Sequence, residues 1–314
     1  MKCSRLRKKN SWRFNLGVEE DKGEIQGEKE GEKGGSDLAS RFAGLITRVV
    51  SAVILVLVIV ILLWCGEIPF LVGITIIVLG GLWELYHTFF KHGHKPAIAL
   101  SIAAGCAFPI LAYFAKDDAG DLTSFAIALA FYLPLVFAWC LVRPGSKSPT
   151  TDISLSLLGV ILVGFCMAHF VLMLGLDIIT WTVPFTVIVM IWISDAVAYL
   201  AGSAIGRHKM FPSISPGKSW EGFLAGTAGV FIAAYVLKVT VNRPWLSIGV
   251  AMELAVIVCI FGPLGDLSES MVKRELGIKD MSSLIPGHGG IMDRFDSMFF
   301  TAVFSYYFLR FLVF

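Results

Sequence analysis

Most of this 314-residue chain is short of charge. Nine of its 26 Lys/Arg and eight of its 24 Asp/Glu fall within residues 1–37, leaving 17 bases and 16 acids for the other 277 residues. A soluble domain carries charge on roughly a quarter of its residues, so the body is not built to face water on all sides. Paired cysteines are missing too. Six are scattered without a C-x-x-C pair, which argues against a disulfide framework or a zinc site and leaves small buried hydrophobes as their reading. An early apolar run is also absent: the first begins near Val49, behind a polar leader, so no cleavable signal peptide is expected. The net charge of +2 says little and the placement of the charges says more; no nucleic-acid partner is expected.

Apolar length is abundant. Hydrophobic residues make up 56% of the chain and the mean hydropathy is +0.76. Segments near 46–65, 68–90, 96–115, 123–142, 153–174, 181–205, 221–241, 246–265 and 297–314 each approach the ~20 helical residues that span a hydrocarbon core. The expected fold is therefore all-α and polytopic, with about nine transmembrane helices. Pro109, Pro134, Pro184, Gly226 and Gly229 lie inside these segments, which lipid-embedded helices tolerate. Two units are expected: a disordered, charged leader over 1–37 and a membrane domain over 38–314. The leader mixes Lys, Glu and Gly without apolar periodicity and cannot offset its ordering entropy.

With the N-terminus cytoplasmic, the inside loops hold eleven Lys/Arg (Lys91, Lys95, Arg143, Lys147, Arg207, Lys209, Lys218, Lys273, Arg274, Lys279 and Arg294) and the outside loops three (Lys116, Lys238 and Arg243). That asymmetry orients the chain. It also puts two polar loops, 206–220 and 266–296, on one face, where nucleotides and magnesium are available.

The second of these loops is the richest in chemistry. Asp293 and Asp296 stand three apart at the start of the last segment, and Asp266 ends the preceding one. Carboxylates at that spacing share a helix face and suit magnesium, which takes one or two carboxylates plus substrate phosphate. The other reading is an ion network with Arg294 and Lys273. Lys273, Arg274 and Lys279 can neutralise phosphate, or can simply be positive-inside residues. His288 sits in a Pro-Gly-His-Gly-Gly turn and is either an acid–base group or a plain hydrogen-bonding residue. The earlier loop offers Ser215, Lys218 and Ser219 before a helix start, a setting suited to anions. It is not a Walker A loop, because position 212 is proline where that motif needs glycine. Gly202 and Gly206 read as a helix-packing face. Two acids, Asp195 and Glu84, lie within apolar spans. At mid-bilayer a charge costs about 2.5–3.5 kcal/mol on insertion scales, so each should face a polar interior or make a structural hydrogen bond. His87, His92 and His94 cluster loosely, without an acid or Cys to complete a metal site.

These residues resemble the phosphatidate cytidylyltransferase (CDP-diacylglycerol synthase) family. Its signature, S-x-x-K-R-x4-K-D followed by P-x-H-G-G-x-x-D-R-x-D, is matched by Ser270, Lys273, Arg274, Lys279, Asp280, Pro286, His288, Gly289, Gly290, Asp293, Arg294 and Asp296. A second family segment is matched by Asp195, Tyr199, Gly202, Gly206, Ser215, Pro216, Lys218, Ser219, Glu221 and Gly222. The likeness covers about residues 40–314; the charged leader has no family counterpart. The resemblance implies transfer of CMP from CTP to phosphatidate, giving CDP-diacylglycerol and pyrophosphate for phospholipid synthesis. It implies Mg2+, with a second cation allowed, on Asp266, Asp293 and Asp296, and phosphate contacts from Lys218, Lys273 and Arg274. It further implies a polytopic, often dimeric enzyme, here expected in a bacterial cytoplasmic membrane. Two rivals are set against it. A membrane kinase phosphorylating a polyprenol-type alcohol from CTP would need a base for the hydroxyl. An ion-coupled transporter would use Asp195 and Glu84 but lacks a visible inverted repeat.

Overall fold

A computed structural model describes residues 53–116, 121–143, 146–282 and 289–314. All lie in one compact unit, Thr47–Phe314. The leader, the beginning of the first apolar segment and His288 fall outside the described residues.

The chain winds as helices because apolar segments can satisfy their backbone only internally when water is absent. In order these are α1 (Val53–Cys65, as described), α2 (Glu67–Lys91), α3 (Ile98–Ala115), α4 (Asp121–Val142) and α5 (Pro149–Gly159). A π-helical turn, Val160–Phe165, leads into α6 (Cys166–Leu172). Then come α7 (Thr182–Ile205), the strands β1 (Lys209–Phe211) and β2 (Ser215–Ser219), α8 (Trp220–Val241), α9 (Ile248–Glu275), α10 (Met292–Phe295) and α11 (Met298–Leu312). Seven helical spans among the described residues are long and apolar enough to cross a membrane. The expectation of nine differs at the two ends: the described part of α1 is a shorter apolar helix, and α11 has 15 residues.

The span Pro149–Gly175 is the hub, 78% buried over its apolar window against 17% for Thr123–Val142. Its π-helical turn packs on α3 at glycines. A Cβ on Gly164 would lie 2.7 Å from the Gly105 Cα, so the two backbones touch there. Around the same level Phe108, Phe125, Phe165, His169, Tyr306 and Tyr307 meet edge to face. The outward side chains, such as Phe131, Leu141 and Phe114, are large and apolar, as a lipid-facing surface requires.

The second half is organised by α7 and α8. Gly222 and Gly226 bring α8 against α7: added Cβ atoms would sit 2.7 Å from the Ala198 carbonyl oxygen and 2.9 Å from that of Ser194. Gly202 shares this packing, whereas Gly206 lies past the end of α7, against Ser219. The expected 206–220 loop is an antiparallel hairpin, Lys209 pairing with Ser219 and Phe211 with Ser215. Its Ser219 caps α8, accepting the Gly222 amide at 3.2 Å.

One end of the bundle is closed by an ion pair. Asp177 accepts from Arg243 Nε and Nη2 at 2.9 and 2.8 Å, from Trp245 Nε1 at 3.1 Å and from Thr182 Oγ1 at 2.8 Å. Burial opposes ionisation of Asp177, but these donors outweigh it and hold the carboxyl below the usual range. A depressed carboxyl contributes stability above its unfolded pKa of about 3.9, and that stability is lost as pH falls through the folded value. Asp177→Asn is therefore expected to melt below the wild type at pH 7, by a margin that narrows at pH 3. Parallel melting curves at both pH values would exclude this clamp.

Candidate active site

At the opposite end, four elements deliver charged side chains to one place. The first is α9. Its expected end at residue 265 is corrected: the helix continues to Glu275. The cations Lys273 and Arg274 favour its C-terminal pole, and Val272 packs on the core. Asp266, Glu269, Ser270 and Lys273 thus share one helix face rather than a loop. Ser270 Oγ donates to Asp266 Oδ1 at 3.2 Å. Lys273 lies 3.3 Å from Glu269 Oε1 and donates to Asp293 Oδ1 at 2.5 Å.

The second element is α10. Asp293 is held on both oxygens, because Oδ2 also accepts from the amides of Gly290 at 2.8 Å and Met281 at 3.1 Å. Burial works against its ionisation, yet the hydrogen bond and charge of Lys273, aided by both amides, keep the carboxyl below the usual range. One helical turn on, Asp296 is buried, and Ser297 donates its amide at 2.8 Å and its hydroxyl at 3.2 Å to Asp296 Oδ1. The same hydroxyl lies 2.7 Å from Asp195 Oδ2 on α7, the third element. Burial first, then the charges of Asp266 and Asp195, push the Asp296 carboxyl above the usual range. The fourth element is the hairpin. Its Lys218 reaches Asp266 Oδ2 and the Pro263 carbonyl, both at 3.1 Å.

The expected aspartate trio is therefore divided. Asp266 and Asp296 face Asp195 in a crowded set of like charges, while Asp293 is closed by Lys273 and two amides. Among the described residues no three His, Cys, Asp or Glu side chains form a ready-made metal cage. Crowded carboxylates with too little compensating charge do suit a divalent cation chemically, so Asp195, Asp266 and Asp296 fit such an ion better than a set including Asp293. Arg274 points elsewhere than expected. Its Nε and Nη1 donate to the carbonyls of Ile214 at 2.9 Å and Ile278 at 3.1 Å, tying hairpin to loop. Lys279 and Arg294 are exposed at the rim. Ser215 lies in β2 and Ser219 serves as a helix cap. His87, His92 and His94 do not converge: they meet the Trp83 ring, the Thr88 carbonyl and the Phe89 ring.

Two carboxylates were not among the expected site residues. Glu269 follows the i,i+4 rule with Lys273, a signal present in the sequence. Glu84 is recognisable as an acid in an apolar span, but its partners lie some 200 residues away. It accepts from Ser282 Oγ at 2.6 Å and from the amides of Ile291 at 2.9 Å and Met292 at 3.0 Å. Gly290 permits this approach, since a Cβ there would lie 2.6 Å from Glu84 Oε2. Thr88 adds a hydrogen bond to the Met281 carbonyl at 3.2 Å. Helix α2 thereby sets the position of α10 and its aspartates. Supporting residues of this kind are worth about 10–100-fold in activity. Glu84→Ala is expected to lose that much turnover, with Glu84→Gln recovering part of it. Full turnover in Glu84→Ala would show that α10 needs no such anchor.

The arrangement is a polar basin of carboxylates and lysines at one end of an apolar bundle, suited to gathering phosphates. The sequence profile of the Cytidylyltransferase family matches residues 46–312. The phosphatidate cytidylyltransferase of Bacillus subtilis (strain 168) is 31% identical over 245 residues, covering 78% of this chain and 90% of that protein. That of Haemophilus influenzae is 41% identical over 130 residues, 40% of this chain and 45% of the relative. That of Staphylococcus aureus (strain COL) is 43% identical over 113 residues, 35% of this chain and 42% of the relative. With most of its length matched by the profile and the basin built from the same stretch, this chain belongs to the cytidylyltransferase family.

Proposed function

We infer that the chain transfers CMP from CTP to phosphatidate, yielding CDP-diacylglycerol and pyrophosphate. One observation carries this reading: Asp195, Asp266, Asp296, Lys218 and Lys273 converge from separate elements at one end of a membrane-type bundle. That level suits a lipid phosphate meeting a soluble nucleotide.

In the reaction a phosphatidate phosphate oxygen attacks the α-phosphorus of CTP. The new P–O bond forms as the bond to the bridging oxygen of the β-phosphate breaks, and pyrophosphate leaves in line. The attacking phosphate is already anionic, so no strong base is needed. Positioning and charge neutralisation supply most of the acceleration. Lys218 and Lys273 meet the phosphates. Lys273 must exchange Asp293 for substrate, so Asp293 and Glu269 store its charge at the site until phosphate arrives. Asp266 and Asp296, with Asp195 beside them, would hold Mg2+, and Asp293 becomes available to a second cation only when Lys273 turns away. When bound, such an ion supplies Lewis-acid neutralisation of the phosphoryl oxygens.

The basin then faces the cytoplasm, in keeping with the Lys/Arg asymmetry, and the N-terminus lies on the same side. Nine crossings are compatible with this arrangement if the bilayer thins locally around the short α11. A bacterial cytoplasmic membrane and a homodimer complete the reading. The test supplies purified protein with phosphatidate, Mg2+ and CTP labelled either in cytidine or at the γ-phosphate. Cytidine label should enter the lipid. Entry of γ-phosphate label instead would replace this reaction with a kinase.

A further inference from the structure

A second feature lies at the same end of the bundle but shares none of the basin's side chains. Helices α2, α3 and α4 enclose an open groove of about 950 Å³. Its walls are apolar and aromatic, from Trp83, Ile98, Ile102 and Trp139, and its lining also includes Lys95 and Arg143. Both cations are exposed. Arg143 stacks over the Trp139 ring, 4.3 Å from its centre. Stacking uses the face of a guanidinium and leaves its in-plane N–H donors for an oxyanion.

The mouth is built rather than incidental. Asp152 is buried, and its carboxylate accepts the Lys95 amide at 2.7 Å and the Ser146 hydroxyl at 2.5 Å. Ser156, one turn further along α5, accepts the Ala97 amide at 2.9 Å. These bonds fix the α2–α3 turn that carries Lys95. From Phe90 to Trp83 the groove extends about 10 Å along the helix axis, from the helix ends into the apolar level of the bundle. Tryptophans and basic residues at that depth are the pattern of a membrane interface.

We propose that this groove binds one anionic glycerophospholipid from the surrounding membrane, its phosphate between Lys95 and Arg143 and an acyl chain against Trp83, Ile98, Ile102 and Trp139. Charge complementarity selects the occupant. A soluble phosphate would leave the apolar walls unused, and a zwitterionic lipid would gain little from two cations. The site stands independently of the transfer reaction inferred above, and it backs onto the segment of α2 whose Glu84 holds the catalytic loop.

The test uses the full chain, purified without added phosphatidate and exposed to phosphatidylglycerol or phosphatidylcholine, with bound lipid counted by native mass spectrometry. The wild type should retain phosphatidylglycerol in preference. Reversing both cations in Lys95→Glu/Arg143→Glu should cut retention by about tenfold or more, and Ala103→Trp, which fills the groove, should abolish it. Lys218→Ala, in the basin, should still retain the lipid. CTP turnover by Ala103→Trp reports its folding, and if that variant is inactive the charge reversal alone decides. Equal retention of both lipids, unchanged retention in both groove variants, or displacement by excess glycerol 3-phosphate would each overturn the proposal.

Discussion

Asp296→Ala and Asp266→Ala are each expected to reduce CTP turnover by about a thousandfold or more, several kcal/mol of lost charge neutralisation, while the protein still inserts and folds. The geometry adds a sharper expectation. Asp296 is buried beside Asp195 and Asp266, so in the free protein its charge is opposed by burial and by like charges. Asp296→Asn removes that repulsion and should melt no lower than the wild type without Mg2+, a case of function kept at the expense of stability. Adding Mg2+ should then raise the melting temperature of the wild type and not of the variant. Asp293→Ala should lose turnover by a different route, by freeing Lys273, and should keep the Mg2+-dependent shift. If Asp296→Asn turned over normally, or if Asp293→Ala alone abolished the shift, the assignment of cation-holding carboxylates would have to be redrawn.

Lys273→Met should be the most damaging single change to the fold of the site. Lys273 bridges Asp293 at 2.5 Å and Glu269 at 3.3 Å, and Glu269 is fully buried. Among the described residues no hydrogen-bond donor reaches either Glu269 oxygen, and the Lys273 ammonium is its ionic neighbour. Removing the ammonium costs about 3–5 kcal/mol, because the buried Asp293 carboxylate stays behind without its cation. Adding Asp293→Asn to Lys273→Met should recover part of the lost stability, since a neutral amide is less costly to bury than an unpaired carboxylate. Turnover should not return, because the substrate phosphates still lack their cation. Equal stability of the single and double variants would show that Lys273 and Asp293 do not act as a unit. Recovered turnover would remove Lys273 from the chemistry.

Much of the fold is legible in the sequence. Apolar runs of membrane length, separated by short polar turns, dictate helices, and seven spans among the described residues bear this out by length and composition. The ends were less legible. Asp266, Lys273 and Arg274 read as loop because charge normally marks the end of a span. In the structure α9 carries them onward to Glu275 as an amphipathic extension. The hairpin at 209–219 was equally hidden, since a Ser/Pro/Gly/Lys stretch has no apolar alternation from which strands could be read. Within the site, the paired spacing of Asp293 and Asp296 and the choice of Asp266 came from the sequence. The closure of Asp293 by Lys273, the redirection of Arg274 to backbone carbonyls and the anchoring by Glu84 did not.

By itself the sequence determined the apolar helical architecture, the end of the chain where chemistry collects, and the family. Local hydropathy and motif spacing need no knowledge of distant contacts. Only the tertiary structure decided which carboxylates crowd together and which are paired. Those outcomes depend on contacts between residues 20 to about 200 positions apart, such as Lys273 with Asp293, Asp195 with Ser297 and Glu84 with Met292, brought together by helix packing that no local pattern records.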